Sequence, residues 1–437
     1  MSVIAVVGAQ WGDEGKGRVV DYLASDADLV IRYAGGNNAG HTVVNPQGEF
    51  KLHLIPSGIF YPATRNLLGN GVVINPPALV AELDNLAAAG IAADNLFISD
   101  RAHLVMPYHV LLDQLEERDR GKGKLGTTSR GIGPAYVDKF ARRGIRMVDL
   151  MEPEQFVARL APTLTRVRRL IEGYYRAGGP EDPMAEQILA ATDEAAISAT
   201  YLAAGERLRR HVVDGRALVD GALANGERIL LEGQLGTMRD IDWGIYPYVT
   251  SSSPIPGGAS LGAGLPAVAI DRVLGVVKAY TTAVGAGPLP TELDDADGER
   301  LRDHGAEFGA STGRPRRCGW YDAVAVRYSV LLAGYSSIAL TKLDVLDGFE
   351  RIPVCVGYRD PLTGAELGGV PASEPLYSRL VPIYEELPGW QTDTTHVRSW
   401  QELPAAARRY VERLEELAGA PISHVSVGPE RDQMIVR

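Results

Sequence analysis

Cysteine is nearly absent: Cys318 and Cys355 are the only two in 437 residues, and they lie far apart. A disulfide framework and Cys-x-x-Cys zinc or redox chemistry are therefore excluded, and a reducing, cytoplasmic setting is expected. A basic surplus is missing too. With 44 Lys and Arg against 55 Asp and Glu, the formal charge is −11, which argues against a general nucleic-acid or membrane-surface binder. No apolar run reaches 18 residues and no basic leader precedes the first apolar stretch, so neither a membrane span nor a targeting segment is expected. Repeats, low-complexity tracts and clear interdomain linkers are also lacking. What remains is 45% hydrophobic and 23% charged, an ordinary globular composition with material for a substantial core.

Glycine, by contrast, is abundant at 49 residues, and it is placed in a pattern. Short apolar runs such as "VIAVV", "DLVIRYAGG", "ERILLEG", "RVLGVVKAY" and "SSIALTKLD" end in glycine or polar turns and alternate with helical spacing. Residues 77–89 read as a helix, and 152–225 as mostly amphipathic helix broken by a solvated turn at 177–183. A smaller antiparallel section follows "PVCVGYRD", and "PAAARRYVERLEELAG" is an amphipathic helix. Strands followed by helices predict an α/β fold on a mainly parallel central sheet, with ligands at the strand carboxyl ends. The expectation is one large domain over 1–437, with helical and small antiparallel insertions.

Four stretches carry chemistry. "GAQWGDEGKG", from Gly8, resembles a phosphate loop opening a helix, with Gly12, Gly15, Lys16 and Gly17 suited to a polyanion. Its spacing is unusual. Six residues separate Gly8 from the Gly-Lys pair, Gly17 stands where Ser or Thr is usual, and Asp13 and Glu14 lie inside the loop. An acid beside phosphates makes sense if it meets magnesium or takes a proton, so Asp13 is a candidate metal ligand. "TKLD" offers Lys342 and Asp344, a pair suited to guanine, whose N1–H and exocyclic amine match a carboxylate; GTP is the natural partner. "GASTGRPRRCGW" gathers Thr312, Arg314, Arg316 and Arg317 for an anionic substrate. "GGNNAGHT" supplies Asn38, Gly40, His41 and Thr42 on one loop. His53, in "KLHLIP", reads as a core position on a strand.

Together with "GTTSRGIGPAY", "DIDWGIYPYVTSS", "VGAGPLPTEL" and "VSVGPER", these stretches resemble the adenylosuccinate synthetases in family order along essentially the whole chain. That family joins aspartate to IMP at the expense of GTP, on a single P-loop-like α/β domain that forms homodimers. The resemblance implies that Asp13 is the general base and a magnesium ligand, with the Gly40 carbonyl as a second ligand. It implies that His41 donates to the phosphoryl group, and that Gly12, Gly15, Lys16, Gly17, Thr42 and Arg316 hold GTP. Lys342, Asp344, Ser426 and Gly428 fall to guanine. Asn38, Thr128, Arg142, Gln234 and Thr250 fall to IMP, Arg142 reaching from the second subunit, and Thr312 and Arg314 to aspartate.

The chain also departs from the family pattern. Leu235 stands where a base-contacting Gln is expected, and Gln234 lies one position earlier. Ser129 replaces Gly, Ala283 replaces Arg, Pro315 interrupts the arginines, and Met238, Arg239 and Trp243 are unusual. Nearly all lie on the IMP side. IMP is the default acceptor; the alternative is another 6-oxopurine nucleotide, such as a deoxynucleotide or an antibiotic precursor. A GTP-binding protein without ligase activity is the third reading.

Overall fold

The computed structural model describes residues 2–45, 48–178, 184–309 and 313–437. Ten strands form the central sheet: β1 (Ser2–Gly8), β2 (Leu29–Arg32), β3 (Arg65–Leu68), β4 (Leu96–Ser99), β5 (Val212–Val213), β6 (Arg228–Gly236), β7 (Arg272–Lys278), β8 (Ser337–Thr341), β9 (Ile422–Ser426) and β10 (Met434–Val436). Their spatial order is β10-β9-β8-β7-β1-β6-β2-β3-β4-β5. Every neighbouring pair is parallel except β9–β10 at one edge. The expected mainly parallel α/β fold is the one observed. A small antiparallel sheet around Arg351–Arg359 and Val381–Pro388 matches the expected insertion.

The sheet is apolar on both faces, as parallel sheets must be when helices cover them. Val3, Ala5 and Val7 of β1 join one buried cluster, with Leu29, Ile31, Ile229 and Leu231. Val6 points the other way and packs with Val30, Leu230, Val276 and with Val19 and Val20 of helix α1 (Lys16–Ala24). Each such side chain contributes roughly 1.5–3 kcal/mol when fully buried. This packing fixes the strand ends, and the loops after β1, β2, β6, β8 and β9 all open on the same carboxyl edge. The helical insertion comprises Pro153–Gly178, Ala185–Thr192, Glu194–Leu208 and Gly215–Ala224. It lies within the expected span 152–225, interrupted by β5; of the expected turn at 177–183, residues 177–178 are helical and 179–183 lie outside the described residues. His53 is not on a strand; it follows Gly48–Leu52 and its Nδ1 pairs with the Ala39 carbonyl at 2.6 Å, bracing the asparagine loop.

Candidate functional site

The loop after β1 resolves its own charge conflict. Glu14 is fully buried, and its Oε1 accepts the Gln10 and Gly12 amides at 3.0 and 2.9 Å. Its Oε2 meets Lys16 Nζ at 2.5 Å. Glu14 is thus the internal tie of the turn, and Lys16 is held at the helix start by that tie. Asp13 differs: at φ +58 it turns outward, half-buried, and its Oδ2 lies 2.8 Å from Arg316 Nε. Gly15 caps α1 in the left-handed conformation at φ +88. The missing hydroxyl at Gly17 has a steric cause. A Cβ there would stand 2.9 Å from His41 Cβ, so the helix start and the His41 loop approach too closely for a side chain.

His41 opens the hairpin that follows β2, and its Nδ1 lies 2.6 Å from Glu232 Oε1 on β6. Glu232 is fully buried and also accepts the Ser57 amide and hydroxyl, both at 2.9 Å. Burial raises its pKa, but the His41 ring, the Ser57 amide and Arg32 outweigh that and hold it below the usual carboxylate range. An ionised acceptor on Nδ1 fixes the ring and its tautomer, leaving Nε2 of the neutral ring free of the proton.

Two residues on, β6 bulges against β1 and Leu235 takes φ +62, half-buried beside Gly12. The bulge turns Gln234 inward. Its Oε1 accepts Arg32 Nη2 at 2.7 Å and the Gly36 amide at 3.1 Å, while its Nε2 donates to Asn38 Oδ1 at 2.6 Å. Gly35 is glycine for this reason: a Cβ would sit 1.5 Å from Gln234 Oε1. With its oxygen taken up, Asn38 presents its amide N–H groups as donors.

At the end of β8, Lys342 turns the chain at φ +59 into a short 3₁₀ turn carrying Asp344. Asp344 lines an open recess of about 480 Å³, walled by Gln391, Thr392, Asp393 and Thr395, and its buried Oδ1 has no hydrogen-bond partner. Burial first, then Asp347, raises the Asp344 carboxyl to about 6, against the lowering pull of Lys342 and Arg18. Ser426 lies at the end of β9, bonded to the Arg18 guanidinium and to the Gly428 carbonyl, the latter at 3.2 Å. Below the recess, Glu307 gathers cations. Its Oε1 accepts Lys278 and Lys342 Nζ, each at 2.8 Å, and its Oε2 meets Arg316 Nη1 at 2.7 Å. Through Arg316 this buried carboxylate links the Lys342 turn to Asp13.

The acceptor-side residues sit on braced loops. Thr128 lies half-buried in a turn whose backbone amides at Leu125, Gly126 and Thr127 donate to Glu117. Asp113 accepts the Thr127 hydroxyl and the Gly131 amide, both at 2.9 Å. Ser129 holds φ +53, the conformation that favours glycine. Thr250 hangs from the Arg239 carbonyl through its amide at 2.9 Å. Arg142 is exposed at φ +61, while its neighbour Arg143 is tied to Asp138 at 2.7 Å. Arg314 is on the exposed rim, Thr42 is exposed and Gly40 half-buried. Thr312 lies outside the described residues.

The structure therefore places Asp13 against Arg316, Gly17 against His41, Lys16 on Glu14 and Gln234 on Asn38, all near the carboxyl edge of the sheet, with Asp344 and Ser426 at the ends of β8 and β9. Sequence reasoning missed Glu232, Glu307, Glu117 and Asp113. For Glu232 a signal existed: a lone acid in the apolar strand "RILLEG" has to find a buried partner. Among the described residues no three His, Cys, Asp or Glu side chains form a metal cluster, and no helix is long and apolar enough to cross a membrane.

Comparison with known proteins gives a consistent result. The adenylosuccinate synthetase family profile matches residues 5–435. The adenylosuccinate synthetase of Heliobacterium modesticaldum is 54% identical over 435 residues, covering 100% of this chain and 99% of the relative. A solved structure of fully ligated adenylosuccinate synthetase from Plasmodium falciparum superposes with a TM-score of 0.91 at 36% identity, covering both chains fully. A cyanophage S-2L succinoaminodeoxyadenylate synthetase, 19% identical with a TM-score of 0.58 over 100% of this chain and 95% of its own, shares the fold.

Proposed function

The chain belongs to the adenylosuccinate synthetase family, ligases that form a C–N bond, and from that premise we propose that it joins L-aspartate to IMP with GTP as phosphoryl donor. The observation that carries this reading is the convergence of an outward-turned Asp13, the His41–Glu232 pair and an unpartnered Asp344 oxygen on one sheet edge. High full-length identity to relatives of that name favours IMP over another acceptor.

In this reading Asp13 takes the N1 proton of the purine, and the C6 oxygen attacks the γ-phosphorus as the bond to GDP breaks. The aspartate amine then attacks C6 and phosphate leaves, giving adenylosuccinate. His41 Nε2 faces the developing charge on the phosphoryl group. Lys16 and the α1 N-terminus hold the donor phosphates, for which Lys16 must turn from Glu14. Arg314, with Thr312, is assigned to aspartate. Asp13 by its carboxylate and Gly40 by its carbonyl would hold a magnesium ion, a hard cation suited to such oxygen donors. Its contribution when bound is to neutralise phosphate charge.

Adenylosuccinate formation from IMP, aspartate, GTP and magnesium, followed by ultraviolet absorbance, tests the proposal. GTP turnover with no adenylosuccinate formed in the presence of IMP and aspartate, or no turnover with IMP while another 6-oxopurine nucleotide reacts, overturns it.

Glu232→Gln is expected to lower kcat about 10²-fold, with the KM for GTP within twofold. An amide can donate to Nδ1 and favour the wrong tautomer, and general acid catalysis is worth roughly 10²–10⁴-fold. An unchanged kcat removes the positioning role.

The family's homodimer has support in one surface. Val137 and Phe140 are 58% and 76% exposed on the helix Ile132–Phe140, next to the exposed Arg142. In this reading that face would be covered by a second copy, and Arg142 is assigned to the partner's acceptor phosphate. Sedimentation velocity checks the dimer. Arg142→Ala is expected to raise the KM for IMP while the dimer persists.

A further inference from the structure

We infer that Arg239, on the turn after β6, is a positioning residue for the phosphate of the acceptor nucleotide, gripping the 284–287 loop and holding the Thr250 segment against it. The inference rests on the reading of that site as an IMP site.

Arg239 is buried, at 8% exposure, and among the described residues no carboxylate forms an ion pair with it. Its guanidinium is spent on carbonyls instead. Nη1 donates to Tyr248 at 2.6 Å and to Ala286 at 3.3 Å, and Nη2 donates to Val284 at 2.7 Å. Arg317 grips the alternate carbonyls of the same loop, Gly287 at 2.8 Å and Gly285 at 3.4 Å. Four successive carbonyls are thus held alternately by two arginines. Arg317 is itself anchored on Glu292, whereas Arg239 has no such anchor. The side chain of Ala283, buried beside this loop, supplies no donor.

Both phosphate-binding candidates depend on this brace. The Ala286 amide donates to the Leu125 carbonyl at 3.2 Å, and Gly285 lies close against Gly126 in the turn that carries Thr128. Thr250 is bonded to the Arg239 carbonyl, and Tyr248, two residues earlier, to its side chain. One guanidinium therefore sets the spacing between Thr128 and Thr250, and a planar fork fits several fixed acceptors better than an ammonium. Burial, then Arg317, lowers its pKa to about 10 against the pull of Asp13. That is still far above neutral pH, so the group is a cation at the acceptor end of the cleft, where a dianionic phosphate is to bind.

The test compares Arg239→Met and Arg239→Lys with the wild-type enzyme. Steady-state kinetics are run for all three substrates, with IMP binding measured by calorimetry and folding by urea denaturation. The Met variant is expected to raise the KM and Kd for IMP at least tenfold, leaving the KM for GTP and aspartate within twofold. The Lys variant, which keeps the charge but cannot span three carbonyls, is expected to raise them about threefold. Equal increases for all three substrates, or unchanged IMP affinity in a folded Met variant, overturn the inference. If the Met variant does not fold, the Lys variant decides by the same selectivity. Wild-type turnover tests the functional reading separately: its absence would sink that reading while calorimetry still reports on Arg239.

Discussion

Asp13→Asn is expected to lower kcat by about 10³-fold, roughly 4 kcal/mol of transition-state stabilisation, and to leave GTP affinity within threefold. The side chains match in size, so the loop keeps its course, but an amide cannot accept the purine proton. The environment supports Asp13 over Glu14 as the proposed base, although they are adjacent. Glu14 is enclosed and its carboxylate is committed to two backbone amides and Lys16. Asp13 turns outward from a left-handed turn and is ion-paired with Arg316, which Glu307 holds from behind. Rapid-quench measurement of GDP formation, beside equilibrium binding of GTP, checks both halves of the expectation. A kcat within tenfold of wild type would assign the proton transfer elsewhere. Loss of GTP binding in parallel would make Asp13 a part of the loop scaffold.

The strands could be read from the sequence because their signals are local. Short apolar runs ending in glycine or polar turns predict buried parallel strands, but their order, with β1 between β7 and β6, is set by long-range packing that the pattern does not contain. Lys16, Gly17, His41 and Asp344 could be singled out for a similar reason: each sits in a short motif whose residue types suit phosphate or guanine. Why Gly17 is glycine was not legible. That depends on His41, twenty-odd residues away in sequence, arriving within contact of the helix start. Glu232 and Glu307 are of the same kind. Each is a single acid whose meaning lies in partners from other strands, and no local spacing announces them.

The departures at the end of β6 show the same limit. From the sequence, Leu235 removes a polar contact and Gln234 can act only if the turn is remodelled. The structure has that remodelling: a bulge and a left-handed Leu235 send the Gln234 amide to Asn38. Residues 232–239 then serve three loops at once. Glu232 orients His41, Gln234 orients Asn38, and Arg239 braces the 284–287 loop. The unusual residues of this segment are thereby connected to the site through neighbours instead of through the nucleotide itself.

Asp344→Asn is expected to lower kcat/KM for GTP at least 10²-fold and to bring the preference for GTP over inosine triphosphate close to one. The carboxylate accepts two charge-assisted bonds from guanine, and the inosine base, lacking the exocyclic amine, offers one. The unpartnered Oδ1 in the recess is the acceptor that would otherwise go unused. The pH dependence follows from the same burial. With its carboxyl at about 6, raised by burial and by Asp347, Asp344 becomes protonated in the free protein as pH falls through that value. GTP needs the ionised form, so its KM is expected to be flat above pH 7 and to rise about tenfold per unit below 6. Stability runs in the opposite direction. A raised carboxyl pKa means that the folded chain binds the proton more tightly than the unfolded one, so the stability Asp344 contributes is full at low pH and is lost as pH rises through 6. At pH 7.5 the ligand-free Asn variant, carrying no buried charge, is therefore expected to be more stable than wild type, by ~1–2 kcal/mol. Urea denaturation without nucleotide measures this, and a variant that loses both GTP selectivity and stability would show that Asp344 supports the turn and does not read the base.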